Sequence, residues 1–403
     1  MKILPYKNLF IGITDALENI FFNEKYASHQ IEKTLKSNRK WGSKDRSFIA
    51  QTVYDTVRWK RMIEASMGKE VQPDNLWEFV GTWFVLQGEN LPSWEEFKKL
   101  NKKNILRRNQ QNTKDNFSVR ESIPDWLFEL GAEELGAEVW MKEIETMNQS
   151  ADIVIRTNKL KTDKKSLQKA LKNEGIETTT LAHFPDALVL RDKTNVFQTQ
   201  AFKDGLFEVQ DAGSQLIADF LEVKPGMRVV DACAGAGGKT LHLSALMDNK
   251  GQIYAMDIHE WKLTELKKRA KRSGAQNIQT KHINSTKVIK RLENSADRVL
   301  LDVPCSGLGV IKRKPDSKWK LTPKFIEQIK KDQIEILENY SKMVKPGGAL
   351  VYSTCSILPS ENQNQVKKFI EKHPEFKLIK EKQLLPSQSG FDGFYMAYLE
   401  KAK

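Results

Sequence analysis

Two cysteines of this 403-residue chain stand in short polar turns that follow apolar runs. Asp302-Val303-Pro304-Cys305-Ser306-Gly307 follows the run Arg298 to Asp302, and Tyr352-Ser353-Thr354-Cys355-Ser356 follows the run Ala349 to Ser353. A cysteine inside an apolar run packs as a small, inert hydrophobe. One flanked by Ser with Pro or Thr at a strand end can be reactive, because polar neighbours and partial exposure tune its thiol. Two cysteines and the acid Asp302 should therefore converge on one sheet edge. Thiol and acid together suit covalent addition to an electron-poor carbon, with the acid absorbing the charge that develops.

A second cluster is the loop Asp231-Ala232-Cys233-Ala234-Gly235-Ala236-Gly237-Gly238-Lys239-Thr240, entered from Val229-Val230 and leaving into a helix near Thr240. Its three glycines allow positive φ and close backbone approach, which implies a nucleotide-like ligand at a helix N-terminus. Gly238-Lys239-Thr240 ends like a phosphate-binding P-loop, and Arg298 to Asp302 could pass for its acidic strand. The P-loop spacing, however, needs glycine where Cys233 stands. A methyltransferase wants an acid at the end of the second strand for ribose hydroxyls, and Asp257 is there. Cys233 itself fits a packing role.

These residues need a frame that brings strand ends together. After Gln210 the chain alternates strand-like runs (Met227 to Asp231, Gln252 to Asp257, Ile278 to His282, Arg298 to Asp302, Ala349 to Ser353) with helical stretches. That rhythm predicts an α/β doubly wound parallel sheet, whose ligands sit at the carboxyl ends of the strands. Further upstream, helical spacing such as Phe48, Ile49, Val53, Tyr54 and Val57 predicts a helical domain over 1–96. Residues 97–120 are too polar for a core and read as a basic linker. Residues 121–195, with a helix after Pro124, strands at Ile153 to Ile155, Thr178 to Leu181 and Ala187 to Leu190, and a helix around Ser166 to Leu171, read as a small α+β module. The catalytic domain then spans 196–403.

Net charge is +13, and it is clustered. Residues 97–120 carry eight Lys or Arg against one acid, residues 261–291 ten against one, and residues 311–331 eight against two. A polyanion is thus expected among the partners, and nucleic acid fits the clustering. Asp15 and Glu18 interrupt the apolar stretch Asn8 to Leu17 before a membrane span could form, so a cytoplasmic monomer with no membrane partner is expected. Three cysteines at wide spacing, with no zinc-like pairing, point to no disulfide framework and no metal.

Cytosine carbon 5 is a poor nucleophile until a thiolate adds to carbon 6 and makes the ring an enamine that can attack a sulfonium methyl. The motifs fit such an enzyme. Phe207 to Gln215, Asp231 to Thr240, Asp302 to Trp319 and Tyr352 to Asn362 resemble, in order, those of the RsmB-like (Sun) family of S-adenosylmethionine-dependent RNA cytosine-5 methyltransferases. The resemblance implies a Rossmann-like class I methyltransferase domain. It also implies Cys355 as nucleophile, Cys305 in release of the adduct, Asp302 in cytosine activation, and Lys239 near cytosine and cofactor. S-adenosylmethionine would lie against Asp231, Ala232, Cys233, Ala234, Gly235, Gly237, Gly238, Lys239, Asp257, Asn284 and Asp302.

Gly42 to Arg46 with Val53 to Trp59 is similar to the NusB-like domain of some members, and Ile123 to Leu127 with Ile155 to Asn158 to the family's RNA-binding module. There Arg156 would touch phosphate, as would Lys312, Arg313 and Lys314 after the Pro-Cys motif. Two departures stand out: Ala236 where the family has proline, and Asn284 with Ser285 where it has an acid near the adenine. Ribosomal RNA is the expected substrate. Transfer RNA, DNA, or a silent role in RNA-binding assembly are the alternatives.

Overall fold

A computed structural model describes residues 6–403, which divide into two compact units. One runs up to Gln149 and includes Ile311–Pro323; the other is Ser150–Val310 with Lys324–Lys403.

The first unit is helical. Along helix Lys7–Phe21, Leu9, Phe10, Ile13, Leu17 and Ile20 fall on one buried face, as a 3.6-residue period requires. Phe10 is the hub of an aromatic core, with Trp94 edge-on at 5.2 Å and Phe84 at 5.3 Å between ring centroids. Residues 97–120, expected as a linker, instead form helices Lys102–Lys114 and Phe117–Arg120. Their amide side chains are structural: Asn101 and Asn116 cap the two N-termini by accepting from Asn104 N and Val119 N. Ile105 is buried, and Arg108 Nη1 donates to the Met67 carbonyl at 2.7 Å. A polar composition thus conceals two docked helices. Helices Asp125–Leu135 and Ala137–Met147 also pack into this unit. Arg61 grips both Asp125 oxygens at 2.7 Å, and Asn148 Nδ2 donates to the Glu121 carbonyl.

Segment Ile311–Pro323 is built into the same helical unit, although the Pro-Cys turn precedes it in the chain. Trp319 Nε1 donates to the Val57 carbonyl at 2.7 Å, and Asp316 Oδ2 accepts from Ala27 N at 3.1 Å. Lys318 Nζ donates to Asn148 Oδ1, while Arg58 Nη2 donates to the Lys312 carbonyl at 2.9 Å. Of the expected phosphate contacts Lys312, Arg313 and Lys314, the first needs correction here. Lys312 is buried, Arg313 half-buried, and only Lys314 exposed.

The second unit holds two sheets. In the smaller, β1 (Val154–Thr157), β2 (Thr178–Leu181), β3 (Phe184–Leu190) and β4 (Phe207–Val209) pair antiparallel in the order β2-β3-β1-β4. The strand Phe207–Val209 lies beyond residue 195, so the small sheet extends into what was expected to be the catalytic domain. In the larger sheet, β5 (Arg228–Asp231), β6 (Gln252–Asp257), β7 (Ile278–His282), β8 (Ala296–Asp302) and β9 (Val344–Thr354) run parallel to one another. Two further strands, β10 (Phe376–Leu384) and β11 (Phe394–Lys401), complete the order β10-β11-β9-β8-β5-β6-β7. β11 runs antiparallel to β9 and to β10, so the sheet is mostly rather than wholly parallel. The strand order reverses at β5, and that switch point is where an open α/β sheet receives its ligand.

Candidate active site

Val229 and Val230 are fully buried in β5, which ends at Asp231. The chain then turns through Ala232 to Gly237 into helix Gly238–Leu246. Gly237 makes that turn possible: its φ is +89°, and a Cβ there would lie 2.6 Å from Leu266 Cγ. Gly235 has φ +54°, and its N–H donates to Asp257 Oδ2 at 2.9 Å. The other Asp257 oxygen accepts from His259 N at 2.8 Å. Each oxygen keeps lone-pair capacity for a ligand hydroxyl. Space is open around the Cβ position of Gly238.

Asp231 Oδ2 accepts from Thr240 Oγ1 at 2.6 Å, and burial pushes its carboxyl up to about 7. Burial likewise pushes the Cys233 thiol far up, in keeping with a packing role. Ala232 and Ala234 are buried beneath the loop. Asn284, just beyond β7, is exposed, its Oδ1 accepting from Ser285 Oγ at 3.4 Å.

Two loop carbonyls are held from outside the motif. Arg269 Nη1 donates to the Ala236 carbonyl at 2.9 Å, and Arg156 Nη1 donates to the Gly238 carbonyl at 2.8 Å. Arg156 also donates to Gln210 Oε1, and Glu208 of β4 pairs with Arg269 at 2.8 Å and with Arg272. Arg156 is therefore no phosphate contact. Only 2% of it is exposed, and it tethers the small sheet to the glycine loop. The run Phe207 to Gln210 was legible as part of a motif, but nothing in sequence tied it to the loop.

At the ends of the adjacent strands β8 and β9 the remaining expected residues meet. Lys239 Nζ lies 2.6 Å from Asp302 Oδ2, and Ser353 Oγ donates to Asp302 Oδ1 at 3.2 Å. Burial works against charge on Lys239, yet the Asp302 carboxylate outweighs it and holds the ammonium above its usual range. The Cys355 sulfur adds to the same field. Cys305 Sγ and Cys355 Sγ are 3.2 Å apart, both as free thiols. The contact with Cys355 and then burial drive the Cys305 thiol well above its ordinary range. Either sulfur can be the donor in this contact.

Sequence reading missed what lies behind the sulfurs. Gly309 N donates to the Cys355 carbonyl at 2.9 Å, and a Cβ on Gly309 would come within 2.3 Å of the Gly393 carbonyl oxygen. Among the described residues no group of side chains could hold a metal, and no helix is long and apolar enough to cross a membrane.

Known proteins resemble this chain. Residues 218–400 match the family described as 16S rRNA methyltransferase RsmB/F, and residues 123–197 match the RsmF/B-like ferredoxin-like domain. The chain is 31% identical to the probable ribosomal RNA small subunit methyltransferase B of Synechocystis sp., over 96% of this chain and 98% of the relative. It is 35% identical to the protein of the same name from Bacillus subtilis, over 70% of this chain and 66% of the relative. Among solved structures, PH0851 superimposes with a TM-score of 0.84 at 27% identity, covering 99% of this chain and all of that one. A methyltransferase homologue from Pyrococcus horikoshii gives 0.63 at 28% identity, covering 71% and 97%.

Proposed function

The chain belongs to the RsmB/F family of S-adenosylmethionine-dependent RNA methyltransferases, and from that premise we propose that it methylates carbon 5 of a cytosine in small-subunit ribosomal RNA through a covalent adduct on Cys355. The observation that carries this reading is the pair of thiols 3.2 Å apart at the ends of β8 and β9, beside the Lys239–Asp302 ion pair. Ribosomal RNA is favoured by the names of the relatives, and the net charge of +13 suits any RNA. Action in the cytoplasm accords with that substrate.

The residues of the cofactor loop fit S-adenosylmethionine. Asp257 would take the ribose hydroxyls, Asn284 the adenine edge, and the backbone of Gly235 to Gly238 the methionine end. Bound there, the cofactor supplies an electrophilic methyl group. Cys355 adds as thiolate to carbon 6 of the cytosine. The half-buried Lys239–Asp302 pair holds a proton where charge develops on ring nitrogen 3, so the adduct forms as a neutral enamine whose carbon 5 is nucleophilic. Once carbon 5 is methylated, the Cys305 thiol gives its proton to the departing Cys355 sulfur and takes up the carbon 5 proton in its place, while the nitrogen 3 proton returns to the Lys239–Asp302 pair; we assign release to that exchange.

The two sulfurs can be separated by what each variant traps. Cys355→Ala should neither methylate RNA nor form an adduct. Cys305→Ala should still attack and methylate but fail to release, giving an RNase-sensitive shifted band on a denaturing gel that disappears when Cys355 is also replaced. An adduct that persists in Cys355→Ala and vanishes in Cys305→Ala would make Cys305 the nucleophile and overturn the assignment.

A further inference from the structure

The two reactive turns share one local sequence: Cys305-Ser306-Gly307-Leu308 and Cys355-Ser356-Ile357-Leu358. They also share one local geometry. In each, the serine hydroxyl accepts from the N–H of the leucine two residues on, at 3.4 Å for Leu308 and 3.2 Å for Leu358. Each hydroxyl then has a single proton to give, and both give it to one oxygen of Glu361, at 2.5 Å from either side. The second Glu361 oxygen accepts from Ser306 N at 2.8 Å and from Gln333 Nε2 at 2.9 Å. Gln333 also donates to the Pro304 carbonyl, immediately before Cys305, and Tyr352 OH donates to the Glu361 carbonyl at 2.7 Å.

Glu361 is wholly buried, with four donors on its carboxylate. A buried carboxylate is costly unless so satisfied, and a simple turn-forming role would need none of this. What the arrangement accomplishes is a bridge between two turns that are 50 residues apart in the chain. We propose that Glu361 is a positioning residue that buckles the two Cys-Ser-x-Leu turns together and decides which of their sulfurs is the nucleophile. The proposal rests on the cysteine chemistry above and adds a residue that touches neither RNA nor cofactor.

The direction of the decision follows from charge. Cys305 is faced by Cys355 from the end of β9, by Tyr352 within β9, and by Glu361 from the turn before helix Gln363–Lys372. The Glu361 charge, added to the Cys355 contact and burial, holds the proton on Cys305. Cys355 faces the Lys239 ammonium instead. One sulfur is thus held as thiol beside a carboxylate, and the other lies in the field of a cation, which favours a thiolate.

Glu361→Gln removes the charge at nearly constant shape. Cys305 and Cys355 fall in different tryptic peptides, so iodoacetamide labelling across a pH series, read by mass spectrometry, titrates each separately. In Glu361→Gln the Cys305 labelling midpoint should move to lower pH, while S-adenosylmethionine affinity stays unchanged and kcat falls about 10²-fold at similar KM for RNA. Glu361→Asp keeps the charge but is too short to reach both turns: its Cys305 midpoint should return toward wild type with kcat still depressed. Labelling profiles of Glu361→Gln that match wild type would overturn the proposal. If Glu361→Gln fails to fold, wild-type kcat in Glu361→Asp would do the same. The labelling requires no RNA, so a wild-type enzyme that makes no 5-methylcytosine would sink the proposed function and leave this test intact.

Discussion

Two buried polar clusters flank the glycine loop, and they are built on opposite terms. At the cysteine edge the donors find acceptors and, in the network around Glu361, only Gln333 Oε1 is left over among the described residues: Glu361 takes four hydrogen bonds, Asp302 takes Lys239 and Ser353, and Asn362 takes the Thr354 hydroxyl at 2.6 Å. Behind the loop, where the small sheet meets the large one, partners are short. Neither ring nitrogen of His242 has a hydrogen-bond partner among the described residues, Arg156 Nε and one oxygen each of Asp186 and Asp231 likewise, and His242 Nε2 stands 3.6 Å from Asp186. A saturated network has one arrangement of protons and holds atoms still, as a reacting centre needs. In an undersupplied one, burial itself moves the proton affinities. Burial drives His242 down to about 4 and Asp219 up to about 6. The first cluster should therefore govern rate, and the second stability and its pH dependence.

The largest effect is expected at the cysteine edge. Asp302→Asn cannot hold a carboxylate against Lys239, so kcat should fall by about 10²–10⁴-fold with cofactor affinity little changed, measured in single turnovers. A variant within tenfold of wild type would remove the acid from the mechanism and level the contrast between the clusters.

Next comes Arg156→Met, which leaves the Gly238 carbonyl and Gln210 Oε1 without their donor. Urea unfolding should show a loss of about 3 kcal/mol. The salt dependence of RNA affinity should keep its slope, because a buried guanidinium releases no counterions; a shallower slope would return Arg156 to the phosphate-binding role.

Asp231→Asn sharpens the stability side. The native carboxyl titrates at about 7 against about 3.9 unfolded, so wild type carries extra stability at low pH that it loses as pH rises through 7. The variant does not titrate, and its advantage over wild type should grow by about 2 kcal/mol between pH 5 and 8 in parallel melts. A pH-independent difference would place Asp231 in an ordinary solvated setting.

The smallest change is expected for His242→Gln. A histidine whose folded pKa is about 4, below its unfolded value near 6.5, contributes stability above 6.5 that is lost as pH falls toward 4. Wild type should lose about 1 kcal/mol relative to the variant between pH 7.5 and 6. Equal slopes would mean that the cluster is better paired than its geometry indicates.

The sequence was most informative where chemistry depends on residue type and on position along one strand. Asp302, Cys305 and Cys355 could be placed at strand ends because each follows an apolar run, and Lys239 because it opens a helix after glycines. Asp257 was legible in the same way. Where a role depends on what comes close from elsewhere in the chain, sequence reading failed. Arg156 in an alternating strand looks the same whether it faces solvent or the Gly238 carbonyl. Lys312 in a basic run gives no sign of being buried, since a lysine's exposure depends on which surface covers it. Asn101 and Asn116 made residues 97–120 appear too polar to fold, though as N-caps they start helices.

By itself, then, the amino-acid order determined the parallel core of the large sheet and which side chains stand at its carboxyl edge, because strand and helix periodicities are local. Tertiary structure alone decided that Glu361 would join two turns 50 residues apart, that Arg156 would hold the cofactor loop, and that Ile311–Pro323 would pack into the helical unit. Those outcomes arise from long-range pairing of buried polar groups, each of which must find a partner wherever the fold supplies one.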